Sequence, residues 1–198
     1  MKRVVLLLAL ILISAIICQA ANGPCVVSGG SHFRIHVGTA GLFGAFAHDH
    51  LIEAQKIEGC ANIDTKDLAH SSVKLTFPAA NIRVMDPKES EKDRAEVQKT
   101  MDTEVLRVSE YPRVTFESTM IDRTGAEQLR VHGNLTIRGK TQAVVIPLAL
   151  THEKEGAYRA TGKFNFKQSS FGIKPIRIGG GTIKVKDDLQ TDFEIVLK

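Results

Sequence analysis

The sequence LRVHGNLTIRGKTQAVVIPLAL, residues 129–150, contains the pattern that decides the fold. Its first half alternates polar residues with apolar ones at Leu129, Val131, Leu135 and Ile137. Alternation with a period of two places one face of a strand against a core and the other face in water. A second apolar run follows Gly139, and a glycine between two such runs is typical of a tight hairpin. We therefore predict two antiparallel strands joined at Gly139.

The same alternation recurs on both sides of this hairpin. Thr124-Gly125 and Glu155-Gly156 separate strands in the same way as Gly139 does. Pro147 cannot donate to a ladder, so its strand is predicted to be an edge or bulged there. Many strands of this kind indicate a sandwich or a barrel. The other alternating apolar positions are Phe33, Ile35, Val37, Val73, Leu75, Phe77, Val114, Phe116, Tyr158, Ala160, Phe164, Phe166, Leu189, Phe193, Ile195 and Leu197.

One segment breaks the pattern. Residues 87–101 are charged, rich in helix formers and free of alternation. Ser90 followed by Asp93 resembles an N-terminal cap with an acidic first turn. Val97 and Met101 share a helical face because they are four residues apart. We predict one helix over about 89–103, with its charges on a solvated face.

The N-terminus resembles a secretory signal peptide. Lys2 and Arg3 precede an apolar run, Val4–Ile17, and Cys18-Gln19-Ala20 offers a cleavage site. The alternatives are a membrane anchor, for which the run is short of the ~20 residues that span a bilayer, and a lipoprotein, for which Ile17 is too large a residue before the cysteine. We therefore expect a cleaved segment at 1–20, a single domain at 21–198, and a periplasmic or secreted protein.

The composition limits the kinds of partner and the cysteine chemistry that we expect. The formal charge of +4 is slight, and no stretch interleaves basic and aromatic residues as nucleic-acid surfaces do. Cleavage leaves Cys25 and Cys60 as the only cysteines, and an oxidising compartment allows one pairing between them. That bond would stabilise the fold by roughly 3–4 kcal/mol through loop closure. Two free thiols are the alternative.

Three motifs carry a family resemblance. They are YPRVTFEST at 111–119, GNLTIRGKTQAVVIPL at 133–148 and SSFGIKP at 169–175, preceded by the charged segment at 93–112. In this order and spacing they resemble the YceI-like family over about residues 31–197. The resemblance implies an all-β fold, a lipocalin-like, eight-stranded antiparallel β-barrel with one short charged helix. It also implies a periplasmic protein that holds an isoprenoid or quinone-type chain in an apolar tunnel, with no general catalytic activity.

The alternating apolar residues are the candidates for a lipid-binding lining. Inward side chains of an eight-stranded barrel either fill it or leave room for one ligand. We expect Ala160, Gly133 and Gly162 to leave space beside the larger side chains. The alternative is that all of them pack as an ordinary core. The predicted lining is Phe33, Ile35, Val37, Val114, Phe116, Val131, Leu135, Ile137, Phe164, Phe166 and Phe171.

His48-Asp49-His50 is the sharpest rival feature. Two histidines two residues apart on a strand share a face and can bind one metal ion. His32 and His36 would complete the site if their strand were adjacent, because a zinc site takes three or four ligands. The alternative is a set of hydrogen-bonded histidines near the mouth of the barrel. A hydrolase motif of the Gly-x-Ser-x-Gly type is absent from the sequence.

These patterns favour an exported lipid-binding protein that is not an enzyme. A metal-binding or stress-response protein using His48 and His50 is the alternative from another class, and a ligand-free interaction module is the third. We expect a long-chain lipid as partner, no cofactor other than such a bound isoprenoid, no nucleic acid and no stable membrane anchor. The oligomeric state stays open, with a homodimer among the alternatives.

Overall fold

The computed structural model describes residues 23–27, 29–41 and 49–198. The predicted signal segment and His48 lie outside these residues. None of the described helices is long and apolar enough to span a membrane. The elements are β1 His32–Val37, β2 Thr39–Ala40, β3 His50–Ala54, β4 Glu58–Asn62, β5 Ser72–Pro78, β6 Ile82–Val84, α1 Glu91–Thr100, a π-turn Met101–Val105, β7 Arg113–Arg123, β8 Gln128–Ile137, β9 Lys140–His152, β10 Tyr158–Lys167, β11 Arg177–Ile178, β12 Ile183–Val185 and β13 Asp188–Leu197, with short 3-10 turns at Leu68–His70, Ala79–Asn81, Lys154–Gly156, Gln168–Phe171 and Gly179–Gly181.

The main sheet is antiparallel and curls into a barrel. Its ten strands follow the order β4-β5-β7-β8-β9-β10-β13-β1-β3-β6. Short bends at 55–57 and 79–81 separate β3 from β4 and β5 from β6, and the two bent chains pair with each other at both ends, as Ala54 with Ile82 and Asn62 with Ser72. Counting each bent chain once gives eight strands around the barrel, and the predicted fold is confirmed.

The segment around Cys25 joins two strands at one end of the barrel. The Val26 N–H donates to the Gly59 carbonyl of β4, and the Val27 N–H donates to the Val196 carbonyl of β13, both at 2.9 Å. Cys25 forms a disulfide bond with Cys60 of β4. The predicted pairing is thus present, and it fastens the start of the described chain between two barrel strands.

The hairpin that the sequence predicted is formed by β8 and β9. Ile137 pairs with Lys140, which leaves Arg138 and Gly139 as a two-residue turn. Both have positive φ, 51° and 67°, as a type I′ turn requires. Pro147 lies next to the point where the ladder between β9 and β10 begins, at Leu148, so its missing donor breaks no bond to β10.

Helix α1 covers one end of the barrel. The Ser90 hydroxyl accepts a hydrogen bond from the Asp93 N–H at 3.1 Å, as the cap motif predicted. The α-helix ends at Thr100 and continues as the π-turn Met101–Val105, so the helical region matches the predicted one with a change of type. The buried Gln98 side chain accepts from the Val84 N–H at 2.9 Å and donates to the Ile82 carbonyl at 3.1 Å. Gln98 therefore fastens the helix to β6.

A small sheet lies beside the barrel. It has the strand order β11-β12-β2, and Val185 pairs with Thr39 of β2. Since β2 follows β1 after one residue, the small sheet extends from the end of the barrel that α1 covers. Its residues Thr39, Ile183 and Val185 line the large cavity described below.

Candidate functional site

A cavity of about 760 Å³ lies inside the barrel beneath α1. Its wall is formed by inward residues of the strands, because alternation turns every second side chain to the interior. Its cover is formed by α1 and the π-turn through Val97, Met101 and Val105. The helical face predicted from the spacing of Val97 and Met101 thus closes a cavity as well as packing on the core.

Acidic side chains line this cavity on and beside α1 and the π-turn. Four carboxylates line it at Glu89, Asp93, Glu96 and Glu104, which we call the acidic rim. Arg177 is the one cationic side chain in the described lining. The remaining wall is mainly aliphatic and aromatic, so the cavity has a charged part beside α1 and an apolar interior.

A second, smaller cavity of about 110 Å³ occupies the opposite part of the barrel. Its lining is almost wholly apolar and includes Leu68, Leu129, Leu150 and Leu197. A space this small and dry favours a chain end over any polar group, because a buried polar group without a partner is costly.

Aromatic side chains separate the two cavities. Phe33, Phe77, Leu135 and Phe164 line both of them. The Phe33 ring centroid lies 5.1 Å from that of Phe77 and 6.2 Å from that of Phe164, and it stacks on Phe193 at 5.8 Å. We call Phe33, Phe77 and Phe164 the aromatic constriction.

Ten of the eleven predicted lining residues face one or both cavities. Phe116 and Val131 face the small one, while Phe33, Leu135 and Phe164 face both. Phe171 lines neither cavity. It is the most buried large side chain, with 1% exposed, and it packs edge-on against Phe166 at 5.7 Å, so it supports the wall from behind. The predicted residues that face only the large cavity are Ile35, Val37, Val114, Ile137 and Phe166.

The expected space beside Gly133 and Gly162 is filled, whereas Ala160 lines the small cavity. A β-carbon at Gly133 would lie 2.5 Å from Cζ of Phe116, and one at Gly162 would lie 2.6 Å from Cζ of Phe193. The two glycines therefore accommodate neighbouring phenylalanine rings rather than a ligand. The expectation was wrong for these two glycines because alternation assigns a face to each residue but does not place the ring on the next strand.

His50 lies at the first position of β3 and lines the large cavity. Its Nδ1 atom is 2.6 Å from Oδ2 of Asp86, and the Leu51 N–H donates to Oδ1 of the same carboxylate at 2.6 Å. Asp86 is 4% exposed. Donor atoms of His50, Asp86 and Glu89 lie within 4.8 Å of one another. Sequence reasoning missed Asp86, since 36 residues separate it from His50.

His32 and His36 do not complete a site at His50. Phe33, Ile35 and Val37 of β1 face the interior, so His32 and His36 belong to the outer face. Nε2 of His36 lies 2.5 Å from Oδ1 of Asp192 there. The predicted four-histidine arrangement is therefore wrong for His32 and His36, although the two strands are neighbours.

Comparisons with known proteins agree with this architecture. The UPF0312 protein of Pseudomonas aeruginosa strain LESB58 is 32% identical over 148 residues, which cover 72% of this chain and 69% of that protein. The UPF0312 protein of Azotobacter vinelandii is 30% identical over 149 residues, covering 72% and 70%.

Solved structures share the fold at low identity. BcnA of Burkholderia cenocepacia superposes with a TM-score of 0.69 at 19% identity, covering 87% of this chain and 99% of that one. A polyisoprenoid-binding domain from Saccharophagus degradans gives 0.66 at 9% identity, covering 89% and 98%. The profile of the YceI-like domain matches residues 28–197. Because that match takes in every strand of the barrel, this chain belongs to the family of YceI-like domains.

Proposed function

We propose that this protein is an exported carrier that holds one long-chain apolar molecule, an isoprenoid or quinone-type lipid, inside its barrel. The observation that carries the proposal is the cavity of about 760 Å³ with an apolar wall and a charged rim. That volume falls within the range of ligand pockets, about 300–1,000 Å³. The Saccharophagus degradans domain, which shares the fold, is described as polyisoprenoid-binding, and this supports the ligand class.

Burial of the chain would supply the affinity. A methylene group is close in size to a water molecule, whose share of the liquid is about 30 Å³, so the large cavity can hold on the order of 25 chain carbons. At ~0.8 kcal/mol per methylene this is a gross ~20 kcal/mol. Ordering a flexible chain offsets part of it. The remainder is enough for the lipid to stay bound through purification.

Export and a binding role are parts of the same proposal. The basic and apolar N-terminal segment supports export, and so does the Cys25–Cys60 bond, because disulfides persist in oxidising compartments. Binding is favoured over catalysis because the interior is lined mainly by apolar side chains, which supply no nucleophile. The lipid would be bound without covalent attachment and would be the only small molecule the protein carries.

Native mass spectrometry of the protein isolated from the export compartment tests the proposal. We expect a polypeptide that begins after Ala20, with one added mass that organic solvent extracts as a long-chain lipid. A bare polypeptide that takes up no isoprenoid or quinone on incubation would contradict the carrier function. An intact N-terminus would contradict the cleavage of the signal segment but not the lipid-carrier function.

Two matched variants test whether the lipid lies in the large cavity. Val97→Glu introduces a charge on the cavity side of α1, and Lys99→Glu makes the same new side chain at an exposed position of that helix. We expect Val97→Glu to lose the lipid and Lys99→Glu to keep it, both with native circular dichroism. Phe164→Glu places a charge deeper in the barrel, and we expect this variant to lose either the bound lipid or its folded structure. Equal lipid content in folded Val97→Glu would exclude this cavity.

Metal binding is the second candidate function. It is favoured by the three donor groups of His50, Asp86 and Glu89 within 4.8 Å of one another. Nδ1 of His50 and both oxygens of Asp86 are already engaged in hydrogen bonds, so a metal ion would bind His50 through Nε2 and could leave the contact with Asp86 in place. Zinc titration of the chelator-treated protein tests whether these three residues bind a metal ion. One equivalent bound by the wild type and lost in His50→Ala would support the metal site.

A further inference from the structure

The His50–Asp86 pair fixes a polar group at the wall of the large cavity. An ionised carboxylate only accepts hydrogen bonds, so the Nδ1 atom of His50 must carry the hydrogen that points at Asp86, 2.6 Å away. The second oxygen of Asp86 is held by the Leu51 N–H. The carboxylate is thus immobilised from two sides, and the orientation of the imidazole ring follows from it.

Within the described part of the chain, the other nitrogen of this ring is open to a ligand. Nε2 of His50 has no hydrogen-bond partner among the residues that the structure describes, and the side chain is 20% exposed where it lines the cavity. In the tautomer that carries its hydrogen on Nδ1, toward Asp86, Nε2 is a hydrogen-bond acceptor. The complementary ligand group is a hydrogen-bond donor.

The charges around the same cavity restrict that donor further. Among the described residues of the lining, the acidic rim contributes four carboxylates, and Arg177 contributes one guanidinium. Arg94 lies near this end too and keeps its positive charge, but it is not part of the described lining, and its Nη1 donates to the backbone carbonyls of Asp86 and Glu89 at 3.1 and 2.9 Å. Like charges repel within a Debye length. A carboxylate or phosphate head group would therefore be disfavoured beside the rim.

We infer that the cavity selects long-chain lipids whose head group donates a hydrogen bond to His50 and bears no negative charge, the simplest being a long-chain alcohol. Of the quinone-type lipids, the reduced quinol meets this requirement and the quinone does not, because a quinone head group has no hydrogen-bond donor. This inference rests on the proposed function, because it takes the apolar interior to hold the chain. The chain would extend from His50 toward the aromatic constriction. The head group would stay beside the acidic rim.

Three isoprenoids with the same chain and different head groups test the inference, with a longer hydrocarbon as the reference that has no head group. The probes are geranylgeraniol, its methyl ether, geranylgeranic acid and the head-group-free hydrocarbon squalene, each added to delipidated, EDTA-treated protein and followed by displacement of a fluorescent fatty probe. We expect the alcohol to bind about tenfold more tightly than the ether, since the ether lacks the hydrogen-bond donor. At low salt we expect the alcohol to bind more tightly than the acid by a similar factor. High salt should raise the affinity for the acid, because it screens the rim.

Matched variants assign the effect to His50 and to the rim. We expect His50→Leu to abolish the difference between alcohol and ether, whereas His132→Leu, on the outer face of β8 beside Asp122, leaves it unchanged. Glu89→Gln combined with Glu96→Gln should improve binding of the acid. If His50→Leu does not fold, the affinities of the wild type for the alcohol and the ether still test whether the head group must donate a hydrogen bond.

The outcomes separate this inference from the proposed function. Binding of the ether or the acid as tightly as the alcohol would overturn the head-group assignment while the lipid-carrier function stands. Failure of all four probes to bind, squalene included, would overturn both. If His50→Leu still bound the alcohol more tightly than the ether, a group other than His50 would accept the hydrogen bond from the head group.

Discussion

Phe33 of β1 and Phe164 of β10 meet edge to face over the intervening strand β13, with ring centroids 6.2 Å apart. Both rings line the large cavity and the small one. The pair therefore forms part of the partition that sets the length of the space a chain can enter. Phe33 is positioned in turn by stacking on Phe193 at 5.8 Å, so the constriction is built on the packed core.

Shortening Phe164 should join the two cavities. We expect Phe164→Ala to shift the preferred ligand toward longer isoprenoids and to lower the free energy of unfolding by about 3–5 kcal/mol, the usual loss for a buried phenylalanine. Binding of a graded series of prenols, with urea unfolding, measures both. Phe166→Ala is the control because Phe166 lines only the large cavity. An equal change of length preference in both variants would contradict the partition.

Gly133 should not tolerate a side chain. A β-carbon there would lie 2.5 Å from Cζ of Phe116 and 2.7 Å from the backbone oxygen of Glu117, and the backbone cannot yield without disturbing the ladder. We expect Gly133→Ala to destabilise the protein by about 1–3 kcal/mol in urea unfolding. Gly29→Ala is the matched control, since an added β-carbon there meets nothing within 4 Å. Equal stabilities would refute the packing argument.

The Cys25–Cys60 bond should stabilise the barrel by holding its first described segment. It closes a loop with a sequence separation of 35, for which loop-closure entropy gives about 3–4 kcal/mol. Cys25→Ser combined with Cys60→Ser should lower the urea midpoint accordingly, and reduction of the wild type should give the same midpoint. Reductant should leave the double variant unaffected. A midpoint independent of reductant in the wild type would show that the bond contributes nothing.

Most of the architecture follows from local patterns in the sequence. Alternation gives the strands because a strand with one buried face needs it, and Gly139 gives the tight hairpin because its φ of 67° disfavours other residues. Ser90 gives the start of α1 because a free backbone N–H needs an acceptor. Each of these features depends on neighbouring residues only, and each was predicted.

The details of the candidate site depend on contacts between distant residues. Asp86 meets His50 across 36 positions, and nothing local in the sequence connects them. The ring of Phe116 lies over Gly133 because their strands are paired at that register, which alternation alone does not give. His36 differs in face from His50 because β1 and β3 are paired with Val37 opposite His50. Register therefore decides which predicted residues meet.

Gln98 should control how firmly α1 covers the large cavity. Its side chain satisfies the Val84 N–H and the Ile82 carbonyl, and its Nε2 also donates to Asp102 at 2.8 Å. Gln98→Ala would leave buried backbone groups unpaired, at a cost of about 1–3 kcal/mol. We expect faster release of a bound lipid in stopped-flow displacement, with Lys99→Ala as the exposed control. An unchanged release rate would show that α1 does not limit exit.

Asp187 should make stability depend on pH below its ordinary pKa of 3.8. Its carboxylate accepts from the Ser169 hydroxyl at 2.7 Å and from the Ser169 N–H at 2.9 Å, and these hydrogen bonds, the hydroxyl first, lower its pKa. A lowered pKa in the folded state means that the stabilisation is complete above the unfolded value and is lost as the pH falls through the folded one.

The variant Ser169→Ala should therefore be less stable than the wild type near neutral pH, and the difference should shrink once the pH falls below 3.8 and Asp187 becomes protonated. The effect is small because the carboxylate is close to solvent. Urea unfolding at the two pH values measures it, and Ser170→Ala, at the exposed neighbouring position, controls for the loss of a hydroxyl. A stability difference for Ser169→Ala that stays constant across this range would mean that the hydroxyl supports the turn at Gln168–Phe171 without acting through the charge on Asp187.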